Sequence, residues 1–561
     1  MSRAREQPIP AAVSAPFLRA PESGMRLRVG VVCNGRRVPR YVRGILDDLL
    51  HAEFVELVLV SELACQSPTS EHYEESLAMR LLSSQVEVRY RQYADPLELV
   101  ESEDLLGGVE RMKCRASPEG RSLRLCADDC RLLQERRLDV LLNFCSRPIV
   151  ATADPVATYG LWYFHFGDSR RYPEGSGFVR ELIDGCTLSG IELIQRTEVA
   201  GDDAILARTL FSTTAFPSRL VNRYAPVWGS RHLVVQSLWE LAEGGTVVPL
   251  PPTPAPETAR PARRALRNRE VLMWFACEAV RRVWRKRNVS GGELHWRIGL
   301  RRAPTPLFHE PGKEDLRSFR WLESPAGHYW ADPVLCEVAG EVWLFFEHMI
   351  ESDGIAEIAC GRIVGDGELV DVRTVLRRPH HLSYPQIIQA DGEIYMLPEA
   401  AQSGGVDLYR ARRFPDEWAL EARLLDFRCV DSTVFRAREC WWMVTSPQLA
   451  PGHAPITWLL QAERVTGPWH YCPRGVVSSS AATARGAGSV FTYQDRLIRP
   501  SQDCSRRYGE ALVFNEIQSL QPGDFRESSF RRVTGTTMPR LGGVHSYSRL
   551  GDLEAIDGGF L

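Results

Sequence analysis

The second half of the chain repeats one pattern of polar and apolar positions five times. Each unit opens on a short polar segment, continues into an apolar strand and then, after a turn, enters a second apolar strand. The openings lie at Asp332, Tyr384, Asp431, Gly488 and His545, spaced by 52, 47, 57 and 57 residues. A period near 50 residues with several short strands per unit is typical of a β-propeller. The pattern therefore predicts an all-β propeller of five blades.

The first half instead alternates strand and helix patterns. A β-branched run at residues 26–34 precedes a helical pattern at 41–50, a second apolar strand at 55–60 and another buried strand at 138–144. Strand, helix and strand at this length indicate a βαβ unit, and hence an α/β domain with a parallel sheet. The first turn lacks the GxGxxG motif of dinucleotide-binding sites, so such a site is not expected.

A further strand, at residues 160–168, carries the first candidate site. It contains His165 and ends in Asp168, and it leads into a Pro/Gly/Ser turn and a predicted helix that begins at Phe178. Residues at the carboxyl ends of parallel strands face the crevice in which open α/β sheets bind ligands. His165 and Asp168 are therefore candidate catalytic residues.

This order of strand, His, Pro/Gly-rich turn, helix and strand resembles the formyltransferase fold. That family transfers a formyl group from 10-formyltetrahydrofolate to an amine, for example on a nucleotide-linked amino sugar. The resemblance implies that His165 helps to stabilise the oxyanion and that Asp202, or Asp203 after a shift of one further residue, handles the proton. Tyr163 takes the position of the family's Asn and is a predicted substrate-binding residue. Gly201 aligns with the family's Asp. A scaffold that has lost or changed this activity is therefore the alternative.

Composition shifts divide the chain into four parts. Residues 1–24 lack a continuous apolar segment and are predicted to be a disordered leader, followed by the α/β domain at 25–246. Residues 247–289 hold a Pro-rich linker and an amphipathic helix, and the propeller spans 290–561. An alternating strand at 294–300 is expected to close the ring between the last blade and the first.

The helix in the linker region carries apolar positions, two tryptophans and a basic end at residues 285–287. A basic helix with tryptophan can lie weakly on a membrane surface. An apolar stripe is more usual on a helix that packs between domains, and this is the plainer interpretation. Weak membrane contact is the alternative.

The overall composition narrows the class of function. With a net charge of −3, the 561 residues offer no basic surface for nucleic acid, and apolar runs fall well short of the roughly 20 residues of a membrane span. The 14 cysteines are scattered, which favours a reducing, cytoplasmic location. Cys114, Cys126, Cys130 and Cys145 lack the spacing of a zinc site, and no metal is expected. The formyltransferase resemblance, rather than the composition, implies a small sugar or nucleotide sugar as partner.

Propeller geometry turns the repeat into a predicted site. Innermost strands surround the central channel, so the residues that open the blades should converge in one funnel. Asp332 and Asp431 open blades, and Glu347 and Glu399 occupy equivalent ends of second strands. The residues predicted to bind substrate in this funnel are Tyr384, Arg485, Arg499, Gln502, Asp503 and His545.

Two motifs carry a second resemblance. Trp330-Ala331-Asp332-Pro333 and the Asp-x-x-Val-Phe segment at 431–435 are similar to those of five-bladed arabinanase- and invertase-type glycoside hydrolases. The resemblance implies Asp332 as base, Asp431 as the group that tunes pKa and Glu399 as acid, a pair of carboxyl groups as glycoside hydrolysis requires. The alternative is that an Asp at a blade start only caps a turn.

From about residue 290 onwards the chain also resembles the N-terminal domain of glucosamine inositolphosphorylceramide transferases. The matching runs include those at 330–333, 381–385, 395–399 and 499–504. The resemblance implies carbohydrate context without a specific reaction. Three functions follow: a carbohydrate-modifying protein whose formyltransferase-like domain acts on an amino or nucleotide sugar beside a sugar-binding propeller; a propeller-type glycoside hydrolase; or a non-catalytic glycan-binding or assembly protein.

Overall fold

The chain forms two compact units in its computed structural model. One comprises Met1–Cys277 with Leu449–His453, and the other Glu278–Gln448 with Ala454–Leu561. The structure describes residues 15–64, 95–119, 122–145, 147–150, 155–173, 175, 178–196, 203–213, 219–250, 267–288, 294–309, 316–448, 455–535 and 538–561. Asp202 and the Pro-rich segment at 251–266 lie outside these described residues.

The first unit is built on a nine-stranded mixed sheet. Its strands are β1 (Leu27–Cys33), β3 (Val55–Ala64), β5 (Glu110–Glu119), β6 (Ser122–Leu125), β7 (Val140–Asn143), β8 (Ile149–Val150), β9 (Leu161–Phe166), β10 (Leu188–Arg196) and β11 (Ala204–Ser212), and a separate ladder pairs β2 (Arg37–Pro39) with β4 (Leu99–Glu101). The order is β11-β10-β9-β7-β1-β3-β5-β6-β8. Strands β5, β3, β1, β7 and β9 run parallel, whereas β10 is antiparallel to both neighbours. The parallel prediction is confirmed for the centre of the sheet, where β1 and β7 are almost wholly buried.

Seven helices are described: α1 (Ala15–Leu18), α2 (Arg40–His51), α3 (Ala127–Glu135), α4 (Arg180–Ile183), α5 (Arg219–Gly229), α6 (His232–Gly244) and α7 (Asn268–Asn288). The predicted helix at 41–50 is confirmed as α2, which buries Tyr41, Ile45 and Leu49. The helix expected from Phe178 is only the single turn α4. Phe178 has a left-handed φ of 61° and Gly185 one of 74°, so neither end can continue a right-handed helix. None of the helices described here is long and apolar enough to cross a membrane.

The leader prediction is wrong for residues 15–24. Phe17 in α1 is fully buried and packs edge-to-face on Trp239 with ring centroids 6.0 Å apart. The amide of Glu53 donates to the carbonyl of Leu18 at 2.8 Å. The buried Phe17 therefore holds this segment against the first unit. Residues 1–14 lie outside the described chain.

The second unit is a ring of five sheets, one for each repeat. Blade 1 holds β14 (His328–Val338), β15 (Glu341–Ile350), β16 (Ala356–Val364) and β17 (Glu368–Leu376), and blade 2 holds β18 (Ser383–Ala390), β19 (Glu393–Glu399), β20 (Val406–Arg413) and β21 (Glu417–Leu425). Blade 3 holds β22 (Cys429–Ala437), β23 (Cys440–Pro447), β24 (Thr457–Ala462) and β25 (His470–Ser478). The predicted five-bladed propeller is confirmed by this strand pairing.

The last two blades have divided inner strands. Blade 4 holds β26 (Arg485–Gly486), β27 (Phe491–Tyr493), β28 (Arg496–Asp503), β29 (Ala511–Gln521) and β30 (Asp524–Thr534). Blade 5 combines β31 (Leu541–Gly543), β32 (Tyr547–Leu550) and β33 (Leu553–Phe560) with β12 (His295–Arg302) and β13 (Arg320–Trp321). Strand β12 pairs with β33 along its whole length, so the predicted ring closure by this early strand is confirmed.

A bulge interrupts the inner strand of each of the first three blades at its opening residue. Pairing between the first two strands skips residues 332–333, 384–385 and 431–432. Asp332, Tyr384 and Asp431 have φ values of 51°, 47° and 49°. A bulge bends the strand and re-aims its side chain, and a left-handed non-glycine residue persists only where its surroundings hold it. The three bulges aim these side chains at a common cluster.

Candidate functional site

The opening residues of the blades contact one another at the centre of the ring, which we call the hub. The amide of Tyr384 donates to Asp332 Oδ2 at 3.2 Å, and Ser546 Oγ donates to Asp332 Oδ1 at 2.5 Å. The Tyr384 hydroxyl accepts from the amide of Gly488 at 2.6 Å. Blades 1, 2, 4 and 5 are thereby joined, as the repeat predicts.

Blade 3 enters the same cluster through a close backbone approach. A Cβ added to Gly486 would lie 2.8 Å from the carbonyl oxygen of Asp431 and 3.0 Å from the Tyr384 hydroxyl. Only glycine permits this contact between blades 3 and 4. Asp431 and Tyr384 are therefore close neighbours.

His545 lies between two buried carboxylates. Its Nε2 is 3.3 Å from Asp332 Oδ1, and its Nδ1 is 2.9 Å from Asp557 Oδ1. Burial would lower the pKa of His545, but the charge of Asp557 and the hydrogen bond to Asp332 raise it well above its usual range. Burial would raise the pKa of Asp332, but His545 and Ser546 outweigh it and the pKa is lowered. The two shifts favour a protonated His545 beside an ionised Asp332.

The same three side chains have donor atoms within 4.8 Å of one another, a spacing that a metal ion could use. The sequence predicted no metal. Both ring nitrogens of His545 lie within 3.3 Å of a carboxylate oxygen, so a protonated ring can supply positive charge here. We call Asp332, His545 and Asp557 the ion triad.

Asp431 forms the second charged pair of the hub. Arg485 Nε donates to its Oδ2 at 2.5 Å, and Asp431 is buried. Burial raises the pKa of Asp431 to about 6, with the charges of Asp332 and Glu399 adding to the effect and Arg485 opposing it. Asp431 therefore titrates close to neutral pH.

Glu347, on β15, forms a pair with His381 from the segment that precedes blade 2. The distance from His381 Nε2 to Glu347 Oε1 is 3.3 Å. Burial raises the pKa of Glu347, and the charge of Asp332 adds to this although His381 and His545 oppose it. Burial would lower the pKa of His381, but Glu347, Glu399 and Asp332 outweigh it and raise the pKa. Raised pKa values on both members allow this pair to hold and pass a proton.

Glu399 is equivalent to Glu347 in register, because Ser383 pairs with it as Ala331 pairs with Glu347. Its environment differs. Its Oε2 accepts from Ser383 Oγ at 3.0 Å and its Oε1 from the amide of Ala401 at 2.8 Å. Among the described residues, no hydrogen bond reaches the second carboxylate oxygen of either Glu347 or Asp431. These two groups therefore retain an oxygen for a ligand, whereas Glu399 is tied to its own blade.

An aromatic side chain connects the hub to the protein surface. Tyr508 exposes 47% of its area, and its ring lies 4.7 Å from the Arg485 guanidinium. Burial of its hydroxyl raises the pKa of Tyr508 well above its usual range, and Asp332, Asp431 and Glu347 add to this. The charges of these three acids therefore act on its hydroxyl. Trp296 packs behind it, 4.1 Å from the His545 ring.

Three predicted binding residues of blade 4 make contacts within their own blade. Arg499 binds Glu527 with both a 2.6 Å and a 2.8 Å hydrogen bond. Asp503 accepts from Arg532 at 2.7 Å and caps the amide of Ser505. Gln502 donates to the carbonyl of Gly486 at 2.8 Å and so supports the inner strand. In the contacts of the described chain, Arg499 and Asp503 do not join the hub.

The candidate residues of the first unit form a smaller cluster on β9. His165 Nε2 lies 2.8 Å from the Tyr172 carbonyl oxygen, and burial lowers its pKa despite the charge of Glu192. Asp168 is held by Arg170 in two hydrogen bonds of 2.8 Å and 2.6 Å. Burial would raise the pKa of Asp168, but Arg170 outweighs it and the pKa is lowered.

Tyr163 lies two residues before His165, on the same face of β9. Its hydroxyl donates to Asp203 Oδ2 at 2.9 Å, and Arg196 lies 3.6 Å from the same carboxylate. Asp202, which was predicted to handle the proton, falls outside the described residues. Asp203 is the neighbouring acid that the structure does place beside Tyr163.

Sequence reasoning missed four members of the hub: His381, Tyr508, Asp557 and Trp296. His381 and Tyr508 lie in connections between strands, where no repeat marks them. Asp557 and Trp296 lie on β33 and β12, whose pairing across the chain ends is visible only in the fold. The register between β32 and β33, had it been known, would have predicted that Asp557 lies beside His545, which opens the fifth repeat.

Residues 322–537 match the family model described as glucosamine inositolphosphorylceramide transferase 1, N-terminal. Among curated proteins, glucosamine inositolphosphorylceramide transferase 1 of Oryza sativa subsp. japonica is 29% identical over 259 residues, covering 42% of this chain and 35% of that protein. The protein of the same name from Arabidopsis thaliana is 29% identical over 205 residues, covering 36% and 27%. The chain thus spans about a third of the length of these relatives.

Solved structures with a local likeness include glycoside hydrolases. An α-L-arabinanase of Cellvibrio cellulosa in complex with arabinohexaose is 15% identical with a TM-score of 0.27, covering 36% of this chain and 77% of that one. A β-xylosidase/α-arabinofuranosidase from a compost metagenome is 13% identical with a TM-score of 0.31, covering 41% and 91%. The five-bladed architecture rests on the strand pairing of this chain itself.

Proposed function

We propose that the propeller binds a carbohydrate at its hub and performs acid–base chemistry on a glycosidic bond. The observation that carries this proposal is the separation of pKa values among neighbouring buried acids. Asp332 is held ionised, whereas Glu347 and Asp431 have raised pKa values. Within the described part of the chain, no hydrogen bond reaches Glu347 Oε2 or Asp431 Oδ1. Pairs of titratable groups whose surroundings push their pKa values apart are typical of acid–base sites.

In this proposal Glu347 is the general acid. Its raised pKa keeps a proton on the carboxyl group, which Oε2 can donate to a leaving oxygen. His381 contacts the other oxygen and is partly exposed, so it can return a proton from solvent. Asp431 is the base, since above about pH 6 its carboxylate can accept a proton from an attacking hydroxyl or water.

Asp332 and Glu399 take other roles than the hydrolase resemblance implies. Both oxygens of Asp332 accept hydrogen bonds, from Ser546 and from the amide of Tyr384, so Asp332 positions the blades and His545. Glu399 stabilises the end of β19 through its two hydrogen bonds. Neither has a free oxygen for proton transfer among the described contacts.

Tyr508 is proposed to form the sugar platform. A half-exposed ring gives an apolar face on which the C–H face of a sugar can stack, and the ring lies 4.7 Å from the Arg485 guanidinium of the hub. Support for a sugar also comes from the match of residues 322–537 to a family named for a glucosamine-containing glycolipid. The activity of the full-length relatives belongs to proteins about three times the length of the matched region.

The test compares turnover and binding. A panel of 4-nitrophenyl glycosides measures turnover, and calorimetry with the corresponding sugars measures binding. We expect Glu347→Gln and Asp431→Asn to lower turnover roughly 10²- to 10⁴-fold with binding retained, because general acid–base groups contribute about this much. Glu399→Gln and the exposed control Glu337→Gln should stay within a few-fold of wild type.

Three outcomes would revise the proposal. Loss of turnover in Glu399→Gln but not in Glu347→Gln would restore the assignment that the hydrolase resemblance implies. Sugar binding without turnover would make the propeller a glycan-binding module. Absence of binding to any sugar of the panel would contradict the proposal itself.

A second proposal concerns the first unit, which we infer to act on an amino or nucleotide sugar by formyl transfer. Its support is the placement of Tyr163 and His165 on one face of β9, with Asp203 hydrogen-bonded to Tyr163. Thermal unfolding with 5-formyltetrahydrofolate and with nucleotide amino sugars tests it. A stabilisation by both ligands is expected, and no shift with either would contradict the proposal.

A further inference from the structure

Helix α7 carries two apolar stripes on different faces. Its inward stripe includes Val271, which is fully buried against Val179, and Phe275, which packs on the same cluster. Its outward stripe includes Leu272, Met273 and Val280, which are 55%, 65% and 69% exposed. A helix needs one apolar stripe to pack on its own protein. The second stripe has no such role.

The outward stripe is continuous along the helix. Successive residues advance by about 100° around a helix axis, so positions 272, 276 and 280 share one face. These positions hold Leu, Ala and Val, and all three side chains are exposed. The stripe therefore runs over about two turns.

The charges of α7 accompany this stripe asymmetrically. The helix contains six basic residues and two acidic ones. Of the acidic residues, Glu278 lies 3.9 Å from Arg281 and Glu270 lies 3.5 Å from Arg180. The basic residues are Arg269, Arg281, Arg282, Arg285, Lys286 and Arg287. The sequence of this helix therefore carries four more basic than acidic residues.

We infer that the outward stripe of α7 docks on an anionic lipid surface. A helix that exposes large apolar side chains beside a cluster of Lys and Arg has the composition of an interfacial helix, whose apolar face enters the lipid while the cations meet anionic headgroups. A second copy of this chain would bring like charges together. A nucleic acid would use the cations but not Leu272, Met273 and Val280.

The experiment is sedimentation of the full chain with vesicles. We expect binding to phosphatidylcholine vesicles that contain phosphatidylglycerol, weak binding to phosphatidylcholine alone, and a decrease with added salt. The triple variant Leu272→Ser, Met273→Ser, Val280→Ser should lower the partition coefficient by about tenfold or more, because it removes apolar area from the lipid contact. Arg269→Gln with Arg281→Gln, two exposed cations of the helix, should lower the preference for the anionic vesicles.

The matched control is Leu420→Ser with Val372→Ser, two propeller residues that are 56% and 43% exposed. Vesicle binding should not change in this control, and the unfolding temperature should not change in any variant, since all the substituted side chains are exposed. Equal vesicle binding by the triple variant and wild type would overturn the inference. A dimer that dissociates in the triple variant, or duplex DNA binding that the triple variant retains without vesicle binding, would assign the stripe to another partner.

Discussion

The hub of the propeller and the β9 site of the first unit both place a histidine beside acids, yet the two histidines titrate in opposite directions. His545 faces Asp332 and Asp557, and its pKa is raised. His165 lies opposite Glu192, and its pKa is lowered. Glu192 is already paired with Arg208 at 2.6 Å, so little of its charge is left for His165. Burial sets the direction unless unneutralised carboxylates reverse it.

The difference follows from how each fold delivers its side chains. The propeller brings residues from five blades together in the hub. There the carboxylates outnumber the cations beside them. In the sheet, the acid that follows β9 and the acid on β10 each lie beside an Arg: Asp168 with Arg170 and Glu192 with Arg208. The hub therefore holds an excess of negative charge, which raises carboxyl pKa values and so allows proton transfer.

The largest predicted effect is on the ion triad. Asp332→Asn leaves the His545 imidazolium beside one carboxylate and weakens the contact to Ser546, so we expect a loss of about 3–5 kcal/mol in the free energy of unfolding. Asn tolerates the left-handed φ of 51°, so backbone strain is not the cause. Urea denaturation measures the loss, with the exposed Asp366→Asn as control. A loss as small as that of the control would show that the triad does not hold the blades.

A second prediction uses the pH dependence of stability. The pKa of Asp431 is raised from 3.8 to about 6, so the folded state binds the proton more tightly than the unfolded state. Stability should therefore fall as pH rises from about 4 to about 6, by roughly 2–3 kcal/mol from this group. Asp431→Asn should lack this component. Unfolding free energies of both proteins at several pH values check it, and parallel curves would contradict the assignment.

The smallest predicted effect is in the first unit. Asp168→Asn removes one ion pair with Arg170 that is only partly buried, so we expect a loss of about 1 kcal/mol for that unit. Because the pKa of Asp168 is lowered, its contribution is present above pH 3.8 and disappears as pH falls through the lowered value. Thermal unfolding at pH 7 and pH 3 measures this. A loss as large as that of Asp332→Asn would remove the contrast between the two regions.

The sequence predicted the hub residues Asp332, Tyr384 and Asp431 because the bulge residue of each of the first three blades also opens its repeat. His545 was found because it opens the fifth repeat. His381 and Tyr508 were not, since they lie in connections whose course depends on the packing of neighbouring blades. Their roles become visible only from contacts with Glu347 and Arg485.

Motif-like runs also misled the site prediction where an ion pair can form within one blade. Arg499 and Asp503 lie in a polar run of β28 that suggested the funnel rim. The structure pairs them with Glu527 and Arg532 on the outer strand β30. Alternation along a strand tells which face a side chain takes, but not whether a partner on the next strand neutralises it.

The most direct test of the central claim is a carboxyl NMR titration of the full chain, with assignments from Asp332→Asn, Glu347→Gln and Asp431→Asn. The account predicts that Asp431 titrates near pH 6, that Glu347 titrates above its usual value of 4.5, and that Asp332 stays ionised below 3.8. Titration of Glu347 and Asp431 at or below their usual values would contradict an acid–base role for the hub.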